Sequence, residues 1–354
     1  MLHSLQIQKI LLAVEEAAYY DDKIKLLKQA INIADVNNDL DWGYDLRLDL
    51  IHLEKGTSYC VESFPAFTWL LETIDANPDL FEESSIFMEY KWLVAAAHKN
   101  SNFSLEQIVS ISNDYKRRLQ DNGMGLYTYY VLENSWNIHT GRFDEAYRSK
   151  ERRNKEQPDA ISFCSACLIS ADAELELASG NFENAIVLAD DVLAGRDTCK
   201  YEPFHTLCLF TYYLSRANDV RSEKYFSEAE AELSGLVHES YMMMDISYLI
   251  FHASIHNKDK AWALFEKYSE WDIMADDYIS FYFAANALPL FKEEGSQKLN
   301  LNPNLPYFDK SGDYNISSLY DYFYSRADNL AIKFDRRNKN TYFSDTLRLL
   351  NSFS

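Results

Sequence analysis

The residues whose types and spacing most suggest chemistry are Cys164, Cys167, Cys199 and His205. The first two form a Cys-x-x-Cys pair, and the other two follow at the far end of the same stretch. Thiolate and imidazole together suit a four-coordinate structural zinc ion. Two other readings stand beside it. The thiols could pack as small apolar groups in place of alanine, or form a redox pair or disulfide.

Other sets fail on a specific position. His252 and His256 share a helical face as metal ligands do, but Ala253 stands where a zinc protease carries its glutamate, so one ring is expected to pack and the other to face solvent. Asp35, Asn37, Asp39 and Asp41 imitate a calcium loop, yet Leu40 and Leu46 occupy the positions that need Gly and Glu, which leaves an inter-helix loop. No phosphate-binding glycine loop, dinucleotide fingerprint or nucleophile elbow occurs, so the chain reads as no enzyme. Arg142, Arg148, Lys150, Arg152, Arg153 and Lys155 gather positive charge around one helix. They read as a solvated face paired with Glu145, Glu151 and Glu156, or as a dock for an acidic segment or phosphate on the face shared by Arg148, Arg152 and Lys155.

The elements that position these residues follow from composition and period. Only 10 Gly and 7 Pro among 354 residues, with 47% hydrophobic content, favour long helices over a turn-rich β protein. The turns Gly141-Arg142-Phe143 and Gly180-Asn181-Phe182 precede Ala146 and Ala185. The same spacing of 38 to 40 residues continues to Glu223 and Ala261, and backwards to Phe103 and Phe64. Further steps fall near Asp22 and near Gly295. In each unit two apolar-periodic stretches flank a short polar turn, an antiparallel helix pair that must stack on its neighbours. Gly180 is expected to end the first helix in the left-handed conformation and Asn181 to cap the second. The start of one helix then lies beside the end of its partner, which brings Cys164 and Cys167 to Cys199.

The resulting expectation is an all-α, right-handed solenoid of about seven to eight hairpins over residues 1–297. A loop over 298–315 and capping helices over 316–354 follow. The small residues on both helices and the Gly-Asn-aromatic turn resemble the tetratricopeptide repeat. Three phrases, FPAFTWLLETIDANPDLF at 64–81, FCSAC at 163–167 and VLAGRDTC at 192–199, resemble a family of bacterial tetratricopeptide-repeat proteins over roughly residues 20 to 290. The resemblance implies a helical-repeat fold and a common purpose for the three cysteines. It implies no particular activity.

Such a solenoid would turn its first helices toward an inner wall. Thr128, Val131, Ser135, His139, Ser170, Glu174, His205, Tyr212, Arg216, Met243 and Ile246 are expected there, with Tyr212, Arg216 and Met243 as anchors for a bound protein or peptide. A formal charge of −21 disfavours nucleic acid and anionic membrane as partners and favours a basic protein, as in an immunity-type inhibitor that covers a basic toxin. A zinc or redox protein centred on the thiols is the competing function. Five dispersed cysteines, a first segment without signal-peptide features and no long apolar run point to the cytoplasm.

Overall fold

The computed structural model describes residues 2–55, 60–233, 235 and 242–354. Among them the chain is almost wholly helical, as the composition requires, and it divides into two compact units, Met1–Ala97 and His98–Ser354.

The first unit contains α1 (Leu2–Glu16), α2 (Tyr20–Val36), α3 (Leu40–Lys55), α4 (Ser63–Ala76) and α5 (Phe87–Ala97). Each of α1 to α4 packs on the next, and α5 packs on α3 and α4. The calcium-like segment is the short connection between α2 and α3, where the Asp39 side chain accepts from the Trp42 amide at 3.2 Å. Arg47 donates to Asp35 at 3.1 and 2.8 Å and lies 3.8 Å above the Trp69 ring.

The second unit begins with α6 (Leu105–Asp121) and continues as hairpins. α7 (Tyr127–His139) pairs with α8 (Phe143–Arg153), and α9 (Ser165–Ala178) with α10 (Phe182–Leu193). α11 (Phe204–Arg216) pairs with α12 (Ser222–Leu233), and α13 (Met243–His256) with α14 (Lys258–Tyr268). The first helices also contact one another in succession, α7 on α9, α9 on α11, α11 on α13, and α13 on α15 (Asp277–Ala287). Ala146, Ala185 and Ala261 fall in the first turns of the second helices and are fully buried, because only a small side chain lets two helices approach there.

The turns follow local chemistry. Gly141 and Gly180 end their helices with φ of 72° and 80°, a conformation that a Cβ disfavours. Asn218 takes the same role after α11 at φ 54°. Asn257 caps α14 through the Lys260 amide at 3.2 Å. Asn181 departs from expectation: it stands at the cap position of α10 without capping it. Its amide group donates instead to Glu176 and Tyr147 at 3.1 and 3.2 Å, which draws the side chain away from the helix end.

After α15 the chain forms the strand β1 (Ser296–Lys298), which pairs antiparallel with β2 (Asp313–Asn315), so the segment read as a loop is pinned at its ends. The periodic step expected near Gly295 meets this ladder rather than another helix pair. α16 (Ile316–Asn338) then packs on α15, and α17 (Tyr342–Leu350) on both. Phe323, Phe334 and Phe343 are buried to within 1% and extend the core of the hairpins.

The end of this unit returns to its own beginning. Arg337 donates to the carbonyls of His98 and Asn100, both at 2.8 Å. Asn340 donates to the Thr140 carbonyl at 2.7 Å, and Arg142 to the Asn338 carbonyl at 3.0 Å. Ser101 donates twice to Asp277. The Tyr342 ring lies directly against Gly141, where a Cβ would overlap it.

Gly141→Ala and Gly180→Ala separate the two demands on these glycines. Gly180→Ala meets only backbone strain and is expected to cost about 1–2 kcal/mol. Gly141→Ala adds the clash with Tyr342 and is expected to cost about 2 kcal/mol more. Thermal unfolding of both variants checks the order, and equal losses would contradict the assigned contact.

Candidate functional site

On the stacked first helices, polar side chains from four of them meet on one wall. His139 closes α7, Glu174 lies in α9, His205 is in the first turn of α11, and Asp245 in the first turn of α13. The His205 Nδ1–H donates to Asp245 at 2.7 Å, and His139 Nε2 lies 3.8 Å from a Glu174 oxygen. The His98 and His139 rings meet with nitrogens 3.3 Å apart, and Tyr278 packs on His139 with ring centroids 4.8 Å apart. His205 keeps 38% of its side chain accessible, His139 15% and Glu174 13%, although protein surrounds all three.

Their ionisation reflects that enclosure. Burial, with the nearby charges of Lys99 and His205, pushes His139 down to about 3 and keeps it neutral. His205 is also penalised by burial, but Asp245, with Glu202 and Glu174 beyond it, outweighs this and raises it to about 10. Burial raises Glu174 above the ordinary carboxylate range, Asp245 adds to the shift, and His205 and Lys99 oppose it. Perturbed groups that retain access are what a binding site presents. This wall offers a fixed cation at His205 beside acidic oxygens, a pattern suited to polar recognition.

The remaining groove residues are distributed otherwise. Tyr212 and Met243, expected as anchors, are 1% and 0% exposed and belong to the core, as do Thr128, Val131, Ser170 and Ile246. The reason is that α11 and α13 are sandwiched between neighbours, so their middle turns are covered on nearly every face. Tyr212 stacks on Tyr248 at 4.1 Å, with Arg216 5.1 Å from its ring. Ser135 and Arg216 are half-buried. Thr128 donates to Asp159 at 2.8 Å. On α8, Arg148 and Arg152 are exposed but lie 3.5 and 3.4 Å from Glu145 and Glu133. Arg153, buried, takes Asp172 at 2.9 and 2.8 Å and ties α8 to α9.

The three thiols do converge. The sulfurs of Cys164, Cys167 and Cys199 all lie within 4.8 Å of one another, and Cys167 and Cys199 are 3.6 Å apart. His205 is not among them: its Nδ1 is held by Asp245 in the first turn of α13, so the expected fourth zinc ligand is withdrawn. His252 is buried and His256 exposed.

Two features were not read from the sequence. Asp245 carried no signal of its own. Ser215 stands 2.7 Å from His252 Nδ1, and His252 Nε2 is 3.1 Å from Glu223, in the order of a nucleophile, base and acid. Ser215 and His252 are 2% and 1% exposed, and Ser215 also lies 2.6 Å from the Thr211 carbonyl, so the set is a packed network that no substrate reaches. No protein-family model, curated protein or solved structure matches the chain. Geometry and charge therefore carry the functional reading.

The ion pair on the wall gives a pH signature. His205 is raised above its ordinary value of about 6.5, so its stabilisation is fully present below that value and lost as pH rises through about 10. His139 is depressed, so its contribution is present above about 6.5 and lost as pH falls toward about 3. In Asp245→Asn the His205 imidazole is expected to titrate several units lower by NMR, and the stability deficit against wild type to shrink above pH ~10. An unchanged His205 titration would contradict the assigned partner.

Proposed function

We propose that this protein is a tetratricopeptide-like helical solenoid that binds a protein segment or peptide and catalyses no reaction. The observation that carries this reading is the wall formed by His139, Glu174, His205 and Asp245. Consecutive stacked helices supply these residues, and three of them remain accessible within an enclosed setting. A stacked array naturally offers such a wall, because successive helices repeat one outlook at a fixed spacing. The recurring hairpins and the succession of first-helix contacts support the solenoid assignment.

The partner is basic in this reading. The charge of −21 favours it, and the cations of α8 that would draw an acidic partner are engaged: Arg153 with Asp172, Arg148 with Glu145, and Arg152 with Glu133. An inhibitor that covers a basic toxin is one form such a protein takes. Five cysteines in thiol form fit a reducing compartment such as the cytoplasm.

Selection from a displayed peptide library, followed by affinity measurement with the full chain, tests the reading. Basic sequences are expected, with affinity falling as salt rises. Glu174→Lys is expected to weaken binding by about tenfold or more, equivalent to about 1.4 kcal/mol, and His205→Ala, which removes a like charge from the wall, to strengthen it. Arg148→Ala and Arg152→Ala are expected to leave it unchanged. Binding indifferent to both wall variants would overturn the assignment.

A further inference from the structure

The thiol cluster lies apart from that wall in chemistry and calls for its own account. Cys164 occupies the N-cap position of α9 without a side-chain capping bond and Cys167 lies in its first turn, while Cys199 follows α10 in the connection to α11. The cluster therefore joins the two ends of one hairpin. Zinc–sulfur bonds of about 2.3 Å place the sulfurs of a tetrahedral site roughly 3.8 Å apart. Cys167 and Cys199 are at 3.6 Å, and all three sulfurs lie within 4.8 Å. One sulfur pair thus stands near the spacing of a thiolate site, and the third sulfur is within reach of both.

The start of α9 carries partial positive charge beside Cys164 and Cys167. The Tyr201 amide also donates to the Cys199 sulfur at 3.5 Å. Cys164 is exposed, whereas Cys167 and Cys199 are half-buried, so one side of the cluster opens to solvent.

We propose that Cys164, Cys167 and Cys199 bind one zinc ion as three thiolates, with water completing the tetrahedron on the solvent side. Binding releases the three thiol protons to solvent and involves no change of oxidation state. The ion would clasp the start of α9 to the connection that leads into α11, independently of the inner wall and of any partner there.

The test uses the full-length chain, reduced and without a polyhistidine tag, titrated with Co²⁺ as the spectroscopic probe and then with Zn²⁺. A single equivalent of Co²⁺ is expected to produce sulfur-to-metal charge-transfer and tetrahedral ligand-field bands that Zn²⁺ abolishes. Cys167→Ser and Cys199→Ser are expected to lose the bands, and Cys164→Ser to weaken binding by about tenfold or more. Cys208→Ala is expected to leave binding unchanged. Circular dichroism establishes that each variant folds, and the wild-type titration decides the matter by itself if one does not. Absence of thiolate bands in the reduced protein, or their survival in Cys199→Ser, overturns the proposal. So does native mass spectrometry of the reduced protein mixed with Zn²⁺ that finds no bound metal.

Discussion

A helical hairpin has two long apolar stripes and can hide only one of them against itself. The rest of the second unit follows from that deficit. α9, α11 and α13 each lie between their own partner helix and two neighbouring first helices, and the middle turns of α11 and α13 lose nearly all access to water. Aromatic side chains fill the space, as in the stack of Tyr212 on Tyr248 and the edge contact of Phe281 with Phe343 at 5.0 Å. What remains for contact with anything else is the ends of these helices. That is where His205 and His139 stand, with Glu174 on the less covered α9 beside them.

Enclosure sets the electrostatics of those ends. An imidazolium in a crowded site survives only with a carboxylate beside it, and Asp245 supplies this for His205. His139 faces another imidazole and the positive charge of Lys99, so it sheds its proton under the same burial. Two histidines on one wall thus differ in charge, His139 neutral and His205 cationic, because only His205 is hydrogen-bonded to a carboxylate. Both charge states are set by neighbours already in the fold, so neither side chain needs to be ordered afresh.

Much of the helical architecture was legible in the sequence because hairpin periodicity is a local property. Gly141 and Gly180 announce their turns, and Ala146, Ala185 and Ala261 mark the close approaches. The thiol cluster was legible for the same reason, since an antiparallel hairpin brings its two ends together whatever else it packs on. The inner wall was only partly so. His139, Glu174 and His205 could be picked by register, but the step from facing inward to being accessible depends on how closely the next helix approaches. Register alone made Tyr212 and Met243 look like contact residues, and the packing of α9, α11 and α13 makes them core. His205 could not be assigned between thiols and wall without Asp245, which lies in the next unit and carries no motif. The strands β1 and β2 were equally hidden, because three-residue segments have too little pattern to read.

The clasp of Arg337 on the carbonyls of His98 and Asn100, with Asn340 on Thr140, bears on how this unit comes apart. An open stack of repeats frays from its terminal units, each protected on one side only. Here the last helices are fastened to the first residues, so loosening either end breaks bonds at both. Partial melting from a terminus has no cheap starting point, and the His98–Ser354 unit should therefore lose its structure in a single cooperative step rather than unit by unit.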